Sequence, residues 1–206
     1  MMEDKKLEIL YDHYKDTFEN IKIYLQRRNY FTIIILVMVI ILSFQISNPD
    51  KTSEITNEIV KKNIGNVSID FKYITSVLLF ALFWVVIMYY QIIFVIEKHY
   101  SYIHELEEKL KPLELQREGK NYLNHFPLLS CLVDKIYTIL FPSALILVAI
   151  TKWITEKNNL NCNYQIWNFW IDTIILLGIV VTSLLYLSYR HFNDFKKKEN
   201  QSPAAN

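Results

Sequence analysis

The sequence is poor in glycine and in clustered titratable groups, which excludes several classes of active site. Its three glycines are too few for a P-loop or a dinucleotide-binding loop, which need closely spaced glycines. The five histidines form no H-x-x-x-H pair and accompany no cysteine pair at metal spacing. No serine has the context of a nucleophile elbow, and no two carboxylates face each other within an apolar run. We therefore predict a protein that is not an enzyme, with no catalytic, cofactor-binding or metal site.

An excess of positive charge is also lacking. The formal net charge is +1, whereas a nucleic-acid-binding surface needs a basic patch to neutralise phosphates. The only concentrated basic run is Lys196, Lys197 and Lys198 near the C-terminus. Such runs typically hold the end of a helix against anionic lipid. We expect no direct contact with nucleic acid.

Long apolar runs are abundant, and hydrophobic residues make up 52% of the chain. They are concentrated in four segments at residues 31–46, 73–96, 136–154 and 171–189. Lys152 and Asp172 are the only charged residues inside these segments. The second and fourth segments are long enough to cross a bilayer, and the first and third need flanking residues to do so. The sequence predicts an all-α, polytopic membrane protein with four transmembrane helices.

The distribution of lysine and arginine predicts the orientation. Sixteen of these residues lie in the N-terminal segment, in the loop at 97–135 and in the tail from 190 onward, against six in the two other connections. Because cationic loops resist translocation, both termini and the 97–135 loop should be cytoplasmic. The domain plan is a cytoplasmic amphipathic helix at 1–29, a transmembrane domain at 30–190 that includes this loop, and a basic, disordered tail at 191–206. Cys131 and Cys162 then fall on opposite sides of the membrane and should not pair.

The N-terminal helix carries an apolar stripe that needs a partner. Its members recur at spacings of four and three residues, the pattern of a packed helical seam: Leu7, Tyr11, Tyr14, Phe18, Ile21 and Leu25. Three partners fit the pattern, namely the segment at 100–110, a second copy of the chain, or the membrane surface. The polar face of the helix is as acidic as it is basic, which disfavours the membrane surface.

The second span continues into the cytoplasmic loop without a proline or glycine. Residues 73–110 would form one helix of roughly 57 Å, longer than a hydrocarbon core of about 30 Å. Beyond the apolar run, Tyr100, Ile103 and Leu110 keep helical spacing, while Glu105, Glu107, Glu108 and Lys109 are expected to form a solvated face. With the N-terminal stripe, these apolar residues are candidate contacts to a partner or to another subunit.

Four residues in or near the spans are candidates for a pathway or gate. Gln91 and Thr182 carry polar side chains within apolar runs, and Pro142 should kink the third span. Asp172 has two interpretations, as the N-cap of the fourth span or as part of an outer vestibule. A channel or transporter subunit built around these residues is the alternative to the function proposed next.

The layout combines a charged N-terminal helix, four spans with both ends inside, and a helical inner loop that contains R-E-G-K-N-Y-L at residues 117–123. It resembles small membrane proteins of bacterial anti-phage loci, such as the four-span subunit of Kiwa systems or the membrane accessory proteins of some CRISPR systems. The resemblance is architectural. It implies an oligomeric inner-membrane protein of a defence or stress system that acts as a scaffold, sensor or regulated pore and docks a soluble cytoplasmic partner.

Overall fold

The computed structural model describes residues 2–64, 71–110, 132, 135–158 and 165–201, and the side chains of residues 5–63, 73–110, 132, 135–158 and 167–191. Every element in these ranges is helical, as the sequence predicts. The helices are α1 (Met2–Ser47), α2 (Pro49–Ile64), α3 (Phe71–Leu110), α4 (Phe141–Asn158) and α5 (Gln165–Gln201). Both cysteines and the segment 117–123 lie outside the described residues.

Four helical segments are long and apolar enough to cross a membrane, which confirms the predicted number of spans. They are Lys5–Ser47, Tyr73–Leu110, Ile136–Asn158 and Trp167–His191. The first segment is longer than predicted because the N-terminal amphipathic stripe and the first apolar run form one helix. At 46 residues α1 is roughly 69 Å long, so part of it must lie outside a hydrocarbon core of about 30 Å.

The turn between α1 and α2 follows from its sequence. The backbone N–H of Asn48 donates to the carbonyl of Phe44 at 2.9 Å and closes α1. Pro49 then begins α2, at the position where a missing N–H costs nothing. Asp50 lies in the first turn of α2, where the helix dipole stabilises a negative charge.

Helix α3 contains 40 residues and runs without interruption from the second apolar run to Leu110. This confirms the continuous helix that the absence of proline and glycine predicts. Its length is roughly 60 Å, so it too extends beyond a hydrocarbon core.

A π-helical turn at Ile136–Leu140 precedes α4 and lies directly before Pro142. Proline cannot donate a backbone hydrogen bond, and a π-turn shifts the local bonding pattern by one residue. Pro142 is the second residue of α4 and is buried, and the kink expected there stays a prediction. Helix α5 begins at Gln165, before the apolar run at 171–189, and continues to Gln201.

The chain divides into two compact units. The helix-pair unit contains α1 through Ile33 and α3 from Met88 onward, and the bundle unit contains the rest of α1 and α3 together with α2, α4 and α5. The segment at 1–29 and the C-terminal half of α3 thus belong to one unit, although they are far apart in sequence.

Candidate functional site: a helix seam and a polar cluster

In the helix-pair unit, α1 and α3 pack along an apolar seam. Its fully buried members are Tyr14 and Ile21 on α1 and Ile103, Leu106 and Leu110 on α3. Five partly buried side chains pack against them: Leu7, Leu10, Phe18, Leu25 and Tyr100. The N-terminal stripe therefore has its partner within the chain, in the segment at 100–110, the first of the three partners that its spacing allowed.

One residue of the predicted stripe does not join the seam. Tyr11 is 44% exposed, and Leu10 packs against the seam in its place. A spacing of three, four and four residues from Leu7 to Phe18 also keeps side chains on one face of a helix. Helical spacing therefore allows either Leu10 or Tyr11 in the seam. In the structure Leu10 packs there and Tyr11 is exposed.

The seam also contains a buried carboxylate that the sequence places on the solvated face. Glu107 is 3% exposed. The Tyr14 hydroxyl donates to its Oε1 at 3.3 Å, and His104 Nδ1 lies 3.3 Å from its Oε2. The expectation of a solvated Glu107 is therefore wrong, whereas Glu105, Glu108 and Lys109 are exposed. Because a buried polar group must be paired, these partners favour one register of α1 against α3.

In the bundle unit, four helices converge on a small apolar cavity. Leu42 of α1, Leu79 of α3, Leu145 of α4 and Leu176 of α5 all line it. Its volume is about 10 Å³, which is about the smallest volume that holds one water molecule. Helices α3 and α5 also approach each other closely. A Cβ added at Gly178 of α5 would lie only 2.8 Å from the Phe83 ring of α3. At this level the packed side chains leave room for about one water molecule.

A polar cluster lies one helical turn from this cavity. We define the Asp172 cluster as Ser76, Lys152, Glu156 and Asp172. Lys152 lines the cavity and its Nζ lies 3.0 Å from Glu156 Oε1. The Ser76 hydroxyl donates to the Asp172 carboxylate, and the Glu156 carboxyl group lies beside it. Three helices thus contribute charged or polar side chains to one place.

The cluster is incompletely paired. Asp172 is 5% exposed, and its Oδ1 has no hydrogen-bond partner among the described residues. The same is true of Glu156 Oε2 and of the side-chain nitrogen of Asn168, which precedes Asp172 by one turn. Lys152 acts on both carboxyl groups, through its ion pair with Glu156 and through its charge on Asp172.

Asp172 is therefore not the N-cap of the fourth span. Helix α5 begins at Gln165, seven residues earlier, so Asp172 lies in the third turn with its side chain buried. The apolar run starts at residue 171, six residues after the first residue of the helix. The vestibule interpretation receives support from the cluster but is not shown by it.

The other pathway candidates lie in different surroundings. The side chain of Gln91 is exposed, in the helix-pair unit. The Thr182 hydroxyl donates to the carbonyl of Gly178 at 2.8 Å, on its own helix. Pro142 is buried beside the π-helical turn. A shared pathway through these residues stays a prediction.

Sequence reasoning missed Lys152 and Glu156 as partners, although a signal for them exists. They are four residues apart, the spacing at which a lysine and a glutamate meet on one helix face. By itself, Lys152 is only a charged residue within the third apolar run. Its proximity to Asp172 depends on packing between helices, which spacing within one helix does not reveal.

No family model, curated protein or solved structure matches the chain.

Proposed function

We propose that this chain is a non-enzymatic, multi-pass protein of the bacterial inner membrane that acts as a scaffold or sensor and docks a soluble cytoplasmic partner through its helix-pair unit. The observation that carries the proposal is the seam between α1 and α3. Both helices extend beyond a bilayer's hydrocarbon thickness, and both take part in the seam and in apolar spans.

The seam suits a docking unit because it is complete within one chain. Its apolar side chains are covered, and its buried carboxylate is paired with Tyr14 and His104. Contacts with other proteins would use exposed side chains of the unit. Among them, Tyr11 is 44% and Tyr102 is 42% exposed, and tyrosine is enriched at protein interfaces.

The closed centre of the bundle unit favours a scaffold or sensor over a pore within one chain. A pore needs a continuous wet path, whereas leucines from four helices surround a cavity of about 10 Å³. The alternative of a channel or transporter subunit loses support for the same reason, and because Thr182 is bonded to its own helix.

The proposal has two further parts. Membership of a defence or stress system follows only from the architectural resemblance. Self-association is also part of the proposal, but the seam residues that suggested it contact each other inside the chain. A homo-oligomer would therefore use other surfaces.

Membrane potential distinguishes the scaffold from the pore. Expression of the full chain in bacteria should leave the potential intact, and purified protein in dye-loaded liposomes should cause no leakage. Depolarisation together with liposome leakage would contradict the scaffold and support a pore.

Photo-crosslinking tests the docking surface. A photoreactive amino acid at position 11 or 102 should give a discrete adduct with the same soluble protein in cells of the native host. The buried position 14 serves as the matched control and should give none. Adducts with lipid alone at positions 11 and 102 would contradict docking on the helix-pair unit.

A further inference from the structure

An exposed apolar stripe of the first span continues onto α2. On α1 its members recur at spacings of three and four residues: Val37, Ile40 and Phe44. On α2, Ile55 and Ile59 are 47% and 57% exposed and lie one turn apart. Ile55 follows Phe44 by eleven residues, which is about three helical turns. The two helices therefore present one stripe wherever the helical phase is kept between them.

The backbone keeps this phase across the junction of α1 and α2. The N–H of Asn48 donates to the carbonyl of Phe44 at 2.9 Å, and the N–H of Thr52 donates to the carbonyl of Asn48 at 3.1 Å. Both bonds have the four-residue spacing of an α-helix. The buried side chains follow the same phase on the opposite side of the two helices: Leu42, Gln45, Thr52 and Val60. Ile55 and Ile59 thus extend the exposed side of the span.

The connection that contains α2 leaves and re-enters the bundle unit at similar heights. Leu42 of α1 and Leu79 of α3 line the same cavity. Consecutive spans cross a bilayer in opposite directions. Asn48 lies six residues after Leu42, and α3 begins at Phe71, eight residues before Leu79. These distances are roughly 9 and 12 Å along the helix axes. Helix α2 therefore starts where the first span ends, close to the lipid headgroups.

The charges of α2 are segregated around its exposed isoleucines. At about 100° per residue, Lys51 and Lys62 lie within about 60° of the mean direction of Ile55 and Ile59. The three acidic residues of α2 lie about 80–160° away from that direction: Asp50, Glu54 and Glu58. Isoleucine enters the acyl boundary of a bilayer, and the long stem of lysine lets its ammonium group reach a lipid phosphate. This face fits a phospholipid surface, in contrast to the mixed polar face of the N-terminal helix.

We propose that α2 is an interfacial helix that binds the phospholipid surface through Ile55 and Ile59, with Lys51 and Lys62 on lipid phosphate groups. Lipid is the occupant because the stripe continues the exposed apolar side of a span, which lipid tails cover. The positive charge beside the isoleucines favours the same occupant. The lipid contact of the first span thus extends past the hydrocarbon core, while Val60 on the other side of α2 is buried.

Photo-crosslinking of the purified full chain in vesicles of phosphatidylethanolamine and phosphatidylglycerol tests the lipid contact. A photoreactive amino acid at position 55 or 59 should give phospholipid adducts in mass spectrometry. Position 57 is the matched control, because Asn57 is exposed on the opposite face of α2, and its lipid yield should be severalfold lower. Three results would overturn the proposal: adducts between two copies of the chain instead of lipid adducts, no lipid adduct at 55 and 59, or an equal yield at 57.

Two neighbouring lysines test the contact with phosphate. Lys62 lies beside the isoleucines, whereas Lys61 lies about 140° away from them. With the photoreactive amino acid at position 55, Lys62→Gln should lower the ratio of phosphatidylglycerol to phosphatidylethanolamine adducts by up to about fivefold. Lys61→Gln should leave this ratio at the wild-type value. An equal effect of the two variants, or no effect of Lys62→Gln, would overturn the role of the lysines.

Discussion

The two units of the chain each bury a carboxylate, and they treat it differently. In the helix-pair unit, Glu107 has one partner from each helix of the seam, Tyr14 on α1 and His104 on its own helix α3. In the bundle unit, Asp172 receives the Ser76 hydroxyl but retains an oxygen without a partner, beside a second carboxylate. The first arrangement is complete in one chain and serves structure. The second is only partly paired among the described residues.

The largest expected effect is on the seam. Ile21 is 2% exposed and contributes to the apolar cluster, so Ile21→Asp would bury a charge without a partner. We expect a loss of about 4 kcal/mol in the stability of the seam. Hydrogen exchange at residues 5–25 should accelerate, while exchange in α4 and α5 should change little.

The control for this variant is Ile23→Asp, two residues away on the same helix. Ile23 is 46% exposed, so the change should cost no more than about 0.5 kcal/mol. Equal acceleration of exchange in the two variants would show that α1 does not pack on α3 through this face.

Much of the seam could be predicted from the sequence. The stripe from Leu7 to Leu25 follows from helical spacing, because apolar side chains on a water-exposed helix must be covered. Spacing allowed three partners for it, and the packing selects the segment at residues 100–110. The choice between Tyr11 and Leu10 did not follow, since both positions fit the period. Glu107 did not follow either, because a glutamate among charged neighbours is usually solvated, and its burial depends on Tyr14, which is 93 residues away in sequence.

The next largest effect concerns the bundle unit. A Cβ at Gly178 would lie 2.8 Å from Cε2 and Cζ of Phe83, closer than carbon atoms pack. Gly178→Ala should therefore force the Phe83 ring to move and destabilise the unit by about 1–3 kcal/mol. The measurement is the thermal unfolding midpoint in nanodiscs.

The double variant Gly178→Ala with Phe83→Leu tests the stated cause. A smaller side chain at position 83 should make room for the added methyl group, so the alanine should cost less in this background than in the wild type. An unchanged cost would mean that the close approach of α3 and α5 at Gly178 is not the reason for the loss.

In the bundle unit, the sequence predicted the spans but not the site. Each apolar run is recognisable by itself, whereas the Asp172 cluster unites side chains from three helices. The interpretation of Asp172 as an N-cap assumed that the helix starts with the apolar run. Polar residues such as Gln165 and Asn168 extend the helix before the apolar run, so the start of the run is not the start of the helix.

The smallest effect is expected from Tyr14→Phe, which removes the hydroxyl that donates to Glu107 at 3.3 Å and leaves the aromatic ring in the seam. A long hydrogen bond of this kind contributes about 0.5–1 kcal/mol. Hydrogen exchange in α1 should accelerate slightly. Tyr11→Phe is the matched control on the exposed face and should leave exchange unchanged. An equal effect of both variants would mean that the hydrogen bond from Tyr14 to Glu107 does not stabilise the seam.

The most direct test of the contrast between the units compares two isosteric substitutions, Glu107→Gln and Asp172→Asn, in nanodiscs. Glu107→Gln removes a carboxylate whose two oxygens both have partners and should lower Tm. Asp172→Asn replaces a buried carboxyl group that lies against a second carboxyl group and has an oxygen without a hydrogen-bond partner among the described residues, so it should raise Tm or leave it unchanged. If Asp172→Asn lowers Tm as much as Glu107→Gln does, both carboxylates are structural, and the distinction between a completed seam and an incompletely paired cluster is wrong.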